Sequence, residues 1–270
     1  MYISVVILSF NAGRTLSRCL DSLIPVLQSY DEESEIFVVE NGSTDMAPEI
    51  LQQYTEQFPS LVKPIVFDKN TGTTYSRNAA LKLASGKFIL VLDSDAYVNK
   101  PAIDSLLAHL NQHPSVGLAA PKLTYASGNF QLSCDNFPTL LQKAKRFLFL
   151  KQMEAKNTDL SKIDQPFEVD YAISACWMLN RECVEKTGLF DENIFYSPED
   201  VDYCVRVWKS GFKIVYVPHQ SLIHDAQELS RGFKLSKFHF SHLGGLFYLF
   251  KKHKYFWTLK SLYRQMPRHD

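Results

Sequence analysis

The sequence predicts an α/β protein with a mostly parallel central sheet flanked by helices, followed by a helical C-terminal extension. Three observations predict it. Apolar, β-branched runs alternate with segments of helical periodicity along the N-terminal part of the chain. The runs are nearly continuous in apolar residues, as strands covered on both faces require. Each run also ends in polar residues, at the edge where ligands of such sheets bind.

The elements follow in order. Residues 4–10 (SVVILSF) form the first strand, and Leu16, Cys19, Leu20, Leu23 and Leu27 place a helix over residues 15–27. A second strand covers 35–39. A second helix covers 46–58, with Ser43, Thr44 and Asp45 as its capping residues. Residues 62–67 form a third strand, 75–83 a helix ending near Gly86, and 88–92 a fourth strand. Beyond Pro101, a helix over 103–111 leads to a strand at 116–120. Residues 125–164 are irregular and carry the basic, aromatic segment KAKRFLFLK at 143–151, which is expected to shape an acceptor side. Residues 174–179 are apolar, and 181–187 read as a helix closed by Gly188. Pro198 opens another helix, in which Val201, Cys204, Val205 and Trp208 recur at helical spacing before Gly211 ends it. A strand at 213–217 precedes His224. The expected division is a catalytic domain over 1–225 and a basic, aromatic helical extension over 226–270.

Composition narrows the class. With 270 residues, 46% hydrophobic and 21% charged, the chain can bury a sizeable core. Its formal net charge of zero argues against a general nucleic-acid binder. The charge is uneven, however: from Arg231 onward nine cations face Asp270 alone. Five cysteines without CxxC spacing fit a reducing compartment and buried small side chains better than a disulfide framework or a zinc site. The opening residues carry no charged region ahead of the apolar run, unlike a signal peptide. No apolar run approaches the ~20 residues that span a bilayer. The expectation is a cytoplasmic protein.

Two stretches carry chemistry. Residues 88–98 read FILVLDSDAYV, so Asp93 and Asp95 close an apolar strand with Ser94 between them. On an extended backbone these carboxylates point the same way, roughly 6–7 Å apart. A hard divalent ion such as Mg²⁺ or Mn²⁺ would relieve their repulsion; an Asx-type turn or a helix cap ahead of Pro101 would also account for them. In the second stretch, Glu199, Asp200 and Asp202 crowd a helix start. Dipole complementation explains one or two acids there, and a third suits a group that must accept a proton. The intervening NTGTTYSRNAAL (residues 70–81) offers Gly72 for close backbone approach, with Arg77 and Asn78 on the following helix. It is either a phosphate- or base-contacting loop or a plain strand-to-helix turn, and it is not a P-loop.

Together these blocks resemble glycosyltransferase family 2 on a GT-A type fold, in its rhamnosyltransferase-like, bacterial cell-surface polysaccharide branch. The resembling blocks are SVVILSFN, VVENGSTD, NTGTTYSRNAA, LDSDAYV, VDYAISACWMLNRE and GLFDENIFYSPEDVDYCVRVWKSGFKIVYVP, then His224. The resemblance implies an inverting transferase that moves a sugar from a UDP-, dTDP- or GDP-sugar to a hydroxyl of a glycan or lipid-linked acceptor. It implies donor binding by Ser9, Asn11, Glu40, Asn41, Gly72, Arg77, Asn78, Asp93, Ser94 and Asp95. It further implies metal ligation by Asp95, His224 and Asp93, with Asp200 as the base and Glu199, Asp202 and Trp177 supporting the acceptor. The chain departs from the family at Glu40, where Asp is usual, and at Ala80 and Ser174, where Gly is common. The extension would pack on the catalytic domain or on a second copy, or, through residues 232–270, hold the enzyme against anionic lipid on the inner face of the cytoplasmic membrane. Two other readings remain open at this point: a haloacid-dehalogenase-like phosphatase using the same DxD, and a non-catalytic carbohydrate-binding protein.

Overall fold

The computed structural model describes residues 1–139, 162–226 and 237–267, without the side chains of 237–243. The segment 143–151, the middle of the irregular stretch and residues 227–236 lie outside the described residues. The first strands and helices are β1 (Ile3–Ser9), α1 (Leu16–Gln28), β2 (Glu35–Asn41), α2 (Ala47–Gln57), β3 (Val62–Phe67), α3 (Thr73–Leu81) and β4 (Phe88–Asp93). Next come β5 (Ala96–Tyr97), α4 (Lys100–Gln112), β6 (Val116–Thr124), β7 (Phe130–Gln131), β8 (Cys134–Asp135), β9 (Phe167–Glu168), β10 (Tyr171–Ala172) and β11 (Cys176–Asn180). The chain continues through α5 (Arg181–Thr187), α6 (Glu199–Lys209), β12 (Lys213–His224), α7 (Lys237–His253) and α8 (Lys260–Tyr263).

The main sheet runs β3-β2-β1-β4-β11-β6-β12-β5. It is parallel from β3 to β4, as expected. Beyond β4 it is mixed: β11 lies antiparallel to both β4 and β6, β12 runs parallel to β6, and β5 closes antiparallel to β12. Strand side chains alternate between two cores. Ile3, Val5 and Ile7 of β1, with Phe88, Leu90 and Leu92 of β4, pack beneath α1, α2 and α4. Val6, Ile89 and Val91 face the other side, under α3, α5, α6 and the described part of α7. Covering on both faces is why these strands read as unbroken apolar runs. All five cysteines are free and buried.

Local chemistry sets the element starts. Asn99 caps α4, its Oδ1 accepting the Ala102 N–H at 3.0 Å. The helix cap ahead of Pro101 is therefore Asn99, and neither DxD carboxylate is spent on it. At α2, Asp45 Oδ1 accepts from Ala47 N and Oδ2 from Gly13 N, while Ser43 and Thr44 bond to Asn11 instead of capping. The strand expected over 213–217 runs on to His224, through a register shift between Val217 and Ser221.

The C-terminal segment is part of the second core. Leu246, Leu249, Phe250, Tyr255 and Leu262 are buried. Gly245 lies so close to the chain ahead of α6 that a Cβ there would meet the Ser197 carbonyl oxygen.

Candidate active site

The site forms where β4 ends and β12 returns. Asp93 is the last residue of β4, and Asp95 precedes β5. In the β12–β5 ladder His224 stands opposite Ala96, and Asp225 N donates to the Asp95 carbonyl at 2.8 Å. That short antiparallel pairing carries a histidine from far along the chain to the DxD. His224 Nε2 lies 3.3 Å from Asp95 Oδ1 and 3.8 Å from Asp93 Oδ2. The ligand atoms of Asp93, Asp95 and His224 all fall within 4.8 Å of one another.

Gln131 sets the imidazole. Its Oε1 lies 3.0 Å from His224 Nδ1, so Nδ1 carries a proton and Nε2 faces the carboxylates. Burial disfavours the charged ring, but the hydrogen bond to Asp95 and the charges of Asp95, Asp93 and Asp225 outweigh it and raise the His224 pKa. Asp93 is also raised: burial and the Asp95 charge exceed the opposing pull of Arg77 and His224. Two oxygens and an imidazole nitrogen converge on a place already short of positive charge, a donor set suited to Mg²⁺ or Mn²⁺.

Arg77, buried on α3, links this cluster to α6. Nη2 donates to Asp93 Oδ1 at 2.6 Å, and Nη1 to Ser174 Oγ at 2.8 Å and Glu199 Oε1 at 3.3 Å. Its guanidinium therefore bridges protein carboxylates. Burial, and then the charge of Asp200, push Glu199 up to about 8, which Arg77 only partly offsets. Asp200 follows at the helix start, its Oδ1 accepting the Val201 N–H at 2.7 Å.

The other expected donor residues knit the rim together. Glu40 accepts from Ser43 N at 2.6 Å and from Ser9 Oγ at 3.1 Å, and it is buried. Asn11, with positive φ, accepts from Thr44 N. Asn41 Oδ1 accepts from Thr71 N and Oγ1, and its Nδ2 donates to Asn70. Gly72 adopts φ 87°, and a Cβ there would strike the Phe195 carbonyl, to which Thr73 N donates at 2.7 Å. The loop after β3 is thereby tied to the loop before α6. Ser94 is half-buried between the two aspartates.

Three expectations need correcting. Asn78 does not face the cluster: its Nδ2 donates to Phe190 O and its Oδ1 accepts from Phe190 N, fastening the chain around residue 190 to α3. Trp177 does not line an acceptor surface. It sits opposite Val91 in the sheet, fully buried, with its ring stacked on Phe190 and tilted against Tyr203. Asp202 turns away from Asp200 into the second core. There it meets Arg206 at 2.9 Å, Lys252 at 2.6 Å and His253 at 2.8 Å. A helix spreads successive residues about 100° apart, so neighbours in sequence face different ways. Sequence reasoning did not single out Gln131, which orients His224, and used Ser174 only as a departure. No local pattern marks Gln131, because its role comes from the β6–β7 pairing.

The architecture is the GT-A glycosyltransferase fold. A mannosyltransferase of Pyrobaculum calidifontis, solved in complex with GDP-Man and Mn²⁺, superposes with a TM-score of 0.60 at 17% identity, covering 85% of this chain and 58% of that one. The chain belongs to glycosyltransferase family 2: the family model described as "Glycosyl transferase family 2" matches residues 4–188. Among curated relatives, a poly(ribitol-phosphate) beta-glucosyltransferase of Bacillus spizizenii is 37% identical over 103 residues, or 38% of this chain and 16% of that protein. An N-acetylglucosaminyl-diphospho-decaprenol L-rhamnosyltransferase of Mycobacterium tuberculosis is 26% identical over 236 residues, or 82% of this chain and 75% of its own length. The chain thus matches only a small part of the Bacillus enzyme and most of the mycobacterial one.

Proposed function

We propose that the protein is an inverting, divalent-metal-dependent transferase. It would move a sugar from a nucleotide-diphosphate donor to a hydroxyl of a glycan or lipid-linked acceptor in cell-surface polysaccharide synthesis. The observation that carries the reading is the meeting of Asp93, Asp95 and His224, joined through buried Arg77 to the acidic start of α6. The relatives' activities, those of a beta-glucosyltransferase and an L-rhamnosyltransferase, support the substrate class.

Asp93, Asp95 and His224 would hold Mg²⁺ or Mn²⁺, which when bound neutralises charge on the departing diphosphate. Gln131 keeps His224 Nε2 turned toward that place. Arg77 ties the Asp93 carboxylate to Glu199, so that the donor side and the acceptor side stay in register. Asp200 takes the acceptor hydroxyl proton on Oδ2 while the hydroxyl oxygen forms its bond to the anomeric carbon. The bond from that carbon to the diphosphate oxygen breaks on the opposite face, and the nucleoside diphosphate leaves with the electron pair. One displacement inverts the configuration. The family match favours this reading over a phosphatase.

Thermal denaturation with UDP-, dTDP- and GDP-sugars, each with and without Mn²⁺ or Mg²⁺, tests the proposal. Stabilisation that requires metal and one donor together supports it. Release of phosphate from simple phosphomonoesters, with no donor stabilising the fold, would overturn it.

A further inference from the structure

The C-terminal segment presents two unlike faces. On α7, Leu246, Leu249, Phe250 and His253 are buried, while Phe247 and Lys251, four residues apart on the other side, are exposed, as is Lys254 in the turn that ends the helix. Phe247 is 63% exposed, and Trp257, just past the helix, 79%. The ring centroids of Phe247 and Phe256 lie 6.0 Å apart, and Trp257 is the next residue along the chain. Lys251, Lys254, Lys260 and Arg264 belong to the same segment, exposed and without an ion-pair partner among the described residues.

Charge sets this surface apart. Residues 237–267 contain no Asp or Glu. The acids that reach the segment from elsewhere are engaged at its inner side. Asp202 holds Lys252 and His253, Asp191 holds Tyr248 and Lys252, and Asp170 accepts from Tyr263. Lys209 meets His253 Nδ1 and Gln265 on the same inner side. These contacts clamp the segment against α6, and the exposed cations keep their full field toward solvent. Among the described residues no helix is long and apolar enough to cross a membrane.

We infer that this face docks on an anionic lipid surface, with Phe247 and Trp257 entering the headgroup region and Lys251, Lys254, Lys260 and Arg264 meeting lipid phosphates. Aromatic side chains favour that interface, and juxtamembrane cations are drawn to anionic leaflets. Gly245 packs against Ser197 just ahead of α6, so the segment that carries this face is joined to the helix start that bears Glu199 and Asp200. The relevance to a lipid-linked acceptor rests on the transferase reading; the docking itself does not.

Flotation of the full chain with vesicles of phosphatidylcholine alone, or with added phosphatidylglycerol, decides. The chain should float only with the anionic vesicles, and raised salt should release it. Lys251→Gln and Lys254→Gln should each lower partitioning about fivefold. Phe247→Ser combined with Trp257→Ser should abolish flotation while leaving the melting temperature unchanged. Equal flotation with both vesicle types, flotation with neither, or an aromatic double variant that floats like the wild type would overturn the inference. So would a non-floating wild-type dimer that the aromatic double variant turns monomeric, since the face would then belong to a second copy. Donor-dependent thermal stabilisation, measured on the same samples, reports separately on the transferase reading.

Discussion

On the site face of α6, the carboxyl of Glu199 is driven up to about 8 by burial and by the neighbouring Asp200 charge. Less than one turn later, on the face toward the C-terminal segment, the carboxyl of Asp202 is held far below the ordinary carboxylate range. Burial alone would raise it, but His253, Arg206 and Lys252 more than compensate. The two environments differ in who answers the charge. Asp202 has three cationic or hydrogen-bonding partners and behaves as part of the frame. Glu199 and Asp200 sit beside like charge, with one guanidinium shared with Asp93. An acid fully compensated holds the helix that carries it, whereas uncompensated like charge marks the site face.

The largest effect expected from this contrast falls on rate. Asp200→Asn should cut transfer by about 10²–10⁴-fold in a nucleotide-release assay while leaving donor-dependent thermal stabilisation intact. Unchanged transfer would remove Asp200 from the base role. On the framing side, Asp202→Ala would strip the half-buried Arg206 and Lys252 and the buried His253 of the carboxylate they share. It should cost about 3–5 kcal/mol in urea unfolding, with activity lost only as the fold is lost.

Acid should expose the same difference. Asp191, which holds Lys252, lies at about 2 rather than 3.8. Burial would raise it, but hydrogen bonds from Lys252, Asn193 N and Tyr248 lower it further. A depressed carboxyl contributes stability that is fully present above its ordinary value and disappears as pH falls toward the folded one. On the order of 2 kcal/mol should therefore be lost between about pH 4 and pH 2. Melting curves of Asp191→Asn, already less stable at neutral pH, should lack this component. The smallest effect belongs to an ordinary exposed pair. Lys186→Ala, which breaks the contact with Glu182 on α5, should change stability by only about 0.2–0.5 kcal/mol in the same measurement.

Much of this was legible in the chain itself. The parallel half of the sheet follows from alternating strand and helix patterns, because a strand covered on both faces needs an unbroken apolar run. The DxD position follows from the same logic, since a strand's exit is written directly after its apolar residues. The rest depends on pairings between distant segments. Nothing local announces that Gln131 will turn His224, or that Asn78 will serve Phe190. Three acids in one helical turn look alike in sequence, and only the neighbours of each face separate Asp200 from Asp202. Trp177 reads as a large amphipathic ring available to an acceptor; its place on the strand between β4 and β6 buries it completely.

The sequence by itself determined the α/β class, the polar rim at the strand exits, the identity of the acids and the basic character of the C-terminus. These are properties of composition and short-range period. Tertiary structure decided which acids meet. An antiparallel ladder of β12 with β5 delivers His224 to Asp95, and Arg77, which holds Asp93, reaches Glu199 across 122 residues of chain. It also decided that the C-terminal segment braces α6, because charge compensation depends on distance in space, and the chain's order carries no record of that distance.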